Sequence, residues 1–329
     1  MKTLVTGGTG FIGANVIRAL LRRGAEIRAL VRRGSDQRNL AGLDIELAYG
    51  DLRDPPSLAA ALKGCDTVYH VAAVYALWTP DRQELYASNV AGTTNMLDAA
   101  LAAGVQKLVY TSSVGTIGLP KDGRPGTEET PLQPAELVAD YKRSKYLAER
   151  EVLAYAQRGL PLVIVNPSFP VGPWDIKPTP SGQLIVNFLR GKIPAYVETG
   201  LNVVDVEDVA LGHVLAAERG RPGERYILGH RNLTLAEVFR VLEAVSGVKA
   251  PRRRIPYGLA YVSACVSELV SRTITHRAPF VTLAGVRLSR KRMFFDAAKA
   301  VRELRLPQTP IEEAFRKAVR WFREHGYAP

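Results

Sequence analysis

The chain has 329 residues, 47% of them hydrophobic, with a mean hydropathy of -0.04; that suffices for a large core in one or two domains and excludes a disordered chain or an integral membrane protein. The formal net charge is +12, but no basic-aromatic stripe or base-reading motif accompanies it, so no nucleic-acid partner is expected. Two distant cysteines (Cys65, Cys265) and five histidines without ligand spacing exclude a disulfide scaffold and a metal centre and suit a reducing, cytoplasmic setting. The opening residues, with Leu4 and Val5, read as a short buried strand. No basic and apolar leader precedes it, so no secretory signal is expected. Gly7, Gly10 and Gly13 follow at three-residue intervals, and Ala14 to Arg23 reads as an amphipathic helix. The pattern predicts further strands over Glu26–Val31, Ile45–Tyr49, Asp66–Val71, Lys107–Thr111 and Leu162–Val165. Helices are expected over Pro55–Lys63, Leu85–Ala103 and Asp140–Arg158. Such alternation predicts an α/β fold, a doubly wound parallel sheet covered on both faces, with ligand beyond the carboxyl ends of its strands.

After Asn166-Pro167, which is expected to stop the sixth strand, the texture changes. Ser168–Pro180 is proline-rich and reads as an irregular loop, and Leu184–Arg190 as a short helix. Val203–Val206 and Arg225–Leu228 read as strand fragments that return to the main sheet. Thr234 with Glu237 three residues on forms a capping-box pattern for a helix to Ser246, and Ile311–His325 reads as a terminal amphipathic helix. The division expected is 1–167 for nucleotide binding, with 203–230 returning to it, and 168–202 with 231–329 as a smaller, discontinuous substrate domain. Ile255–Ile274 is apolar but broken by Glu268 and Arg272. It reads first as a helix packed in the small domain and second as an amphipathic segment in peripheral contact with a membrane.

Three places carry chemistry. Glycines in the first turn let backbone N–H groups approach a pyrophosphate, which a helix N-terminus also attracts. Tyr141 and Lys145 lie four apart, on one face of the Asp140–Arg158 helix. A phenol titrates near pH ~10; a neighbouring ammonium is expected to lower that value, making Tyr141 an acid/base for a carbonyl or alcohol oxygen. Ser112 and Ser113 end the fifth strand, where a hydroxyl can hold the same oxygen.

In order, TGGTGFIG (Thr6–Gly13), GDL (Gly50–Leu52), HVAA (His70–Ala73), Asn89, YTSS (Tyr110–Ser113), YKRSK (Tyr141–Lys145) and NP (Asn166-Pro167) resemble the extended short-chain dehydrogenase/reductase family over essentially the whole chain. The resemblance implies a Rossmann-type fold and a cofactor held by Gly7, Gly10, Phe11, Ile12, Gly13, Asp51, Leu52, Ala72, Ala73, Lys145 and Pro167. It implies Ser113, Tyr141 and Lys145 as the catalytic set, with Asn89 structural or in a proton relay. The second strand ends Arg32-Arg33 with no acid until Asp36, which favours a 2′-phosphate over a free 2′-hydroxyl. NADP(H) is therefore expected, Arg32 as main contact and Arg33 as second, with NAD(H) less favoured. By position, Tyr75, Trp78, Ser113 and Trp174 are substrate candidates, the pocket being expected from the loop after the fourth strand and the segment Trp174 to Ser181.

Within the family, Val31–Leu40, Val165–Gly182 and Gly223–Val238 look most like the dihydroflavonol-reductase-like group, and more narrowly like bacterial hopanoid-associated sugar epimerases. Two reactions follow: reduction of a small-molecule ketone or aldehyde to an alcohol, or epimerisation of a sugar. The stretch Thr199–Ala210 lacks the arginine that meets the diphosphate in sugar-nucleotide epimerases, which favours reduction. A non-catalytic NADP-sensing regulator ranks last, since Tyr141 and Lys145 are both present. A homodimer is compatible with the resemblance.

Overall fold

The computed structural model describes residues 2–75, 81–271, 273 and 282–329; Trp78, Arg272 and Ile274 lie outside the described residues. In chain order the first elements are β1 (Lys2–Thr6), α1 (Phe11–Leu21), β2 (Glu26–Val31), β3 (Glu46–Tyr49), α2 (Pro55–Leu62), β4 (Thr67–His70), α3 (Arg82–Tyr86), α4 (Gly92–Ala102), β5 (Lys107–Thr111), α5 (Asp140–Gln157) and β6 (Leu162–Pro167). Then come β7 (Phe169–Val171), α6 (Pro180–Leu189), β8 (Ala195–Tyr196), β9 (Gly200–Asp205), α7 (Val206–Arg219), β10 (Arg225–Leu228), β11 (Arg231–Thr234) and α8 (Leu235–Ser246). Last are β12 (Arg253–Arg254), α9 (Tyr257–Val270), α10 (Leu283–Ser289), β13 (Arg292–Met293) and α11 (Ile311–Glu324).

Seven strands form one parallel sheet in the order β3-β2-β1-β4-β5-β6-β10. Period two sends neighbouring residues to opposite faces. Val5, Val109 and Val165 meet α1 and α7, while Leu4, Leu108 and Ile164 meet α2, α4 and α5. Both faces are therefore dry, which explains why these strands are continuously apolar. The order changes direction between β1 and β4, and there the connections diverge and leave a crevice beyond the strand ends.

A second core lies over a four-stranded sheet of β7, β9, β11 and β13. There Phe188 of α6, Phe239 of α8 and Phe315 and Phe322 of α11 pack together. The capping box on α8 forms as expected, Glu237 N donating to Thr234 Oγ1 and Thr234 N to Glu237 Oε2.

Several expectations are corrected. Residues 203–206 do not return to the main sheet: β9 is the centre of the second sheet and ends where Asp205 caps α7, its carboxylate accepting from Glu207 N at 2.7 Å. The return begins one element later, with α7 against α1 and β10 beside β6. Ala300, Leu304 and Leu306, expected in the smaller unit, join the core of the large sheet. Asn166-Pro167 does not stop β6; both residues pair with β10. The helix expected over 85–103 starts at Arg82, capped by Asp81, and passes through a π-turn at Ala87–Ala91. The loop 168–180 contains β7, and α6 begins at Pro180 rather than Leu184. Among the described residues, no helix is long and apolar enough to cross a membrane.

Candidate active site

The glycine turn joins β1 to α1. Gly7 has φ +73°, and a Cβ on it would lie 2.7 Å from the Ala72 nitrogen, so only glycine admits the loop after β4. The N-cap of α1, Gly10, supplies no side-chain hydrogen bond. The first-turn N–H groups of α1 are thus left for an outside acceptor, and the helix dipole favours an anion there. The residues present fit a pyrophosphate on this turn.

The loop after β4 is fixed by buried hydrogen bonds. Ala72 N donates to Thr6 Oγ1 at 3.1 Å, and that hydroxyl bonds His70 Nδ1 at 2.8 Å. Burial drives the His70 imidazole down to about 3, so it is neutral and acts as a strut between β1, β4 and Thr93 (3.2 Å). Asn89, in the π-turn, accepts from Val74 N at 2.7 Å and donates to Val74 O and Ser144 Oγ at 3.0 Å each. It ties the loop to α5.

Beyond the strand ends runs one cleft of about 340 Å³. Gly7, Gly10, Phe11, Ile12, Gly13, Arg32, Asp51, Leu52, Ala72, Ala73, Tyr75, Ser113, Tyr141, Lys145 and Pro167 all line it. Arg33 and Trp174 do not. Arg33 stacks on Tyr49, 5.2 Å from the ring centre, and faces an adjoining depression. Trp174, at φ +75°, covers the Arg18 guanidinium at 3.5 Å. It closes the outside of α1 and is withdrawn as a substrate candidate; Trp78 lies outside the described residues.

At the deep end Tyr141 opens the first turn of α5. Its ring meets Tyr75 at 4.4 Å between centres, and Ser113, whose Oγ accepts from Gly115 N at 3.0 Å, lines the cleft with it. Burial, reinforced by Tyr75, holds this phenol above its usual range against the opposing influence of the Ser113 hydroxyl. The expected lowering by Lys145 is absent. The buried Lys145 ammonium instead donates to Thr111 O at 2.6 Å and Tyr110 Oη at 3.1 Å. Desolvation brings Lys145 down to about 8, opposed by Glu149 one turn further along α5. Glu149 Oε2 accepts from Thr116 Oγ1 (2.8 Å) and Asn166 Nδ2 (3.0 Å), while Oε1 pairs with Arg225 at 3.3 Å. Asn166 Nδ2 also reaches Ser113 O at 3.1 Å. This buried network pins the ends of β5 and β6, and with them Ser113.

At the shallow end the environment is wet. Asp51 binds Arg53 through two bonds of 3.0 and 2.9 Å and is held down near 2. Asp36, the first acid after β2, is engaged by Arg38 at 2.7 Å. Arg32 is exposed and lines both the cleft and the adjoining depression, which also takes in Arg33, Arg53 and Lys177. Sequence reading missed Ser35 and Phe169. The segment 174–181, expected to border substrate, does so in part: Lys177 lines the adjoining depression, while Thr179, the N-cap of α6 before proline at N1, lines the cleft with Ser181. Behind them, buried Asp175 accepts from Thr179 N (2.9 and 3.0 Å) and Thr179 Oγ1 (2.8 Å). Burial outweighs those bonds and pushes its carboxyl up to about 7.

Residues 3–229 match the NAD dependent epimerase/dehydratase family. The chain is 49% identical to "Putative dihydroflavonol 4-reductase" of Synechocystis sp. over 327 residues, covering 98% of this chain and 95% of that one. It is 40% identical to "Sterol demethylase protein B" of Methylococcus capsulatus over 327 residues, 99% of each. The crystal structure of a nucleoside-diphosphate-sugar epimerase from Pseudomonas aeruginosa superposes with a TM-score of 0.84 at 28% identity, over 100% of this chain and 99% of that one. The protein therefore belongs to the NAD-dependent epimerase/dehydratase family, the extended short-chain dehydrogenases/reductases, and is an enzyme of that NAD(P)-dependent group of oxidoreductases, epimerases and dehydratases.

Proposed function

We propose that this enzyme is an NADPH-dependent carbonyl reductase, with Ser113, Tyr141 and Lys145 as the catalytic set. The reading rests on one observation: Ser113, Tyr141 and Lys145 line the deep end of the same cleft whose other end holds the glycine turn and Arg32. When bound, reduced nicotinamide supplies a hydride for a carbonyl carbon. The glycine turn and the first turn of α1 would hold the pyrophosphate, Asp51 and Leu52 the adenine side, Ala72, Ala73 and Pro167 the length of the cofactor, and Lys145 the ribose hydroxyls. Arg32 would take the 2′-phosphate. Arg33 and Lys177 would add field from the adjoining depression, since charge-assisted contacts to phosphate exceed neutral ones about twofold.

Ser113 and Tyr141 would meet the substrate oxygen together. A phenol held above its usual range keeps its proton at neutral pH, so Tyr141 is poised to donate as negative charge develops on the oxygen. Ser113, lining the same cleft as Tyr141, would orient that oxygen. The Lys145 ammonium, bonded to Thr111 O and Tyr110 Oη, would act through the ribose hydroxyls it holds. Tyr75, Phe169, Thr179 and Ser181 would form the substrate wall, two aromatic rings with three hydroxyls. That wall suits an apolar ketone or aldehyde, in keeping with the sterol and dihydroflavonol named for the two relatives. The smaller unit (168–205, 231–299 and 311–329) would carry Phe169, Thr179 and Ser181 of this wall, and free Cys65 and Cys265 suit a cytoplasmic setting.

Sugar epimerisation is the second reading, favoured by the Pseudomonas neighbour. The test is NADPH oxidation with a panel of apolar ketones and aldehydes, alongside mass spectrometry of the purified enzyme. Turnover with exchangeable cofactor supports the reductase. No turnover on the panel, with nicotinamide retained through purification, sinks it in favour of the epimerase.

A further inference from the structure

We propose that α9 is an interfacial helix that seats the protein on an anionic lipid surface. The observation is an inverted amphipathic pattern. Leu259, Val262, Val266 and Leu269 recur at intervals of three and four, so they share one face. That face looks outward, its side chains exposed by 64, 59, 56 and 62%. The opposite face buries only Ala260 and Ala264, against Val286 of α10. By contrast α11, also 14 residues long, turns Phe315, Trp321 and Phe322 inward. In α9 the small side chains hold the helix to the protein and the large ones face away from it.

Charge decides the occupant. Arg252 and Arg253, just before the helix, are exposed and form no ion pair among the described residues. Arg290 stands over the ring of Tyr257, which with Tyr261 packs on the inward side. The acid of the helix, Glu268, turns to the start of α10, accepting from Leu283 N at 2.8 Å. An outward aliphatic stripe on a helix that those two exposed arginines precede, with its acid turned to α10, matches the acyl-headgroup boundary of an anionic bilayer. The outward stripe has none of the aromatic anchors that dominate protein interfaces.

Cys265 lies on the same outward face and is exposed, while Cys65 is buried, so a thiol-reactive, environment-sensitive dye reports on α9 alone. Labelled protein is titrated with phosphatidylcholine vesicles with and without about one-third phosphatidylglycerol. The expected result is a blue shift and co-sedimentation with the anionic vesicles only, weakened by salt. The double variant Leu259→Glu/Val266→Glu abolishes both at an unchanged melting temperature. Arg252→Glu/Arg253→Glu weakens binding roughly 25-fold or more, about fivefold per arginine. Absence of a shift on anionic vesicles overturns the proposal. So does a shift without lipid that grows with protein concentration alongside a dimer mass in light scattering, which makes α9 an interface between two copies.

Discussion

At the Tyr141 end of the cleft the ionisable groups are dry, and at the Arg32 end they stand in water. Lys145, Glu149, His70 and Asp175 are all buried, and three of them, Lys145, His70 and Asp175, are displaced from their ordinary ionisation by desolvation. Arg32, Arg33 and Lys177 are exposed. The same formal charges thus act at short range and high strength in one place, and as a screened, additive field in the other. Geometry at the dry end is fixed by hydrogen bonds that cannot be exchanged for water. At the wet end a lost contact is largely replaced by solvent.

The sharpest test of that contrast is Tyr141→Phe. Removing the donor hydroxyl lowers kcat by about 10²–10⁴-fold, while NADPH affinity, read by fluorescence titration, changes little. Next is Glu149→Ala, which leaves Arg225, Asn166 and Thr116 without their common acceptor. Stripping one partner from a buried ion pair costs about 3 kcal/mol or more; urea denaturation measures the loss, and a variant as stable as the parent breaks the account of how β5 and β6 are pinned. At the wet end the effects are smaller. Arg32→Asp shifts the NADPH-to-NADH ratio of kcat/KM toward NADH by about tenfold or more, the scale of one charge-assisted bond. Arg33→Ala, whose guanidinium is engaged on Tyr49, shifts it less; equal effects of the two would place them symmetrically on the phosphate.

Two pH dependences follow from the dry end. Lys145 titrates near 8 in the free enzyme, so kcat/KM carries an alkaline limb there, as its charge is lost with rising pH. Asp175 is raised from 3.8 to about 7. Between those values the folded chain holds a proton that the unfolded chain has released. Its contribution to stability is therefore complete below pH 3.8 and declines as pH rises through about 7. Melting temperatures of Asp175→Asn at pH 5 and 8 show a smaller fall than the parent if this holds.

Local pattern made the glycine turn, the alternation of strands and helices, and the pairing of Tyr141 with Lys145 on one helical face legible, because these depend on residues within a turn or a pleat of each other. Periodicity also marked α9 as apolar, but only burial shows that Leu259 faces out while Ala260 faces in. What the sequence hid is long-range. Nothing near Lys145 announces that its ammonium is committed to Thr111 O and Tyr110, so the expected acidification of Tyr141 gave way to burial. Trp174 read as a substrate aromatic and became a cover for Arg18, since its partner lies on a helix more than 150 positions earlier. Thr179 and Ser181, in the segment the sequence did point to, line the cleft from the start of α6.

The chain by itself determined most of its elements, its glycine turn and the placing of Tyr141 and Lys145 on one helical face, because backbone propensity and periodic burial are written in neighbouring residues. Only the tertiary structure decided the strand order, the membership of β9 in the second sheet and the ionisation of the cleft. Desolvation and hydrogen-bond partnership depend on what closes over a residue, and that comes from segments the local sequence does not contain.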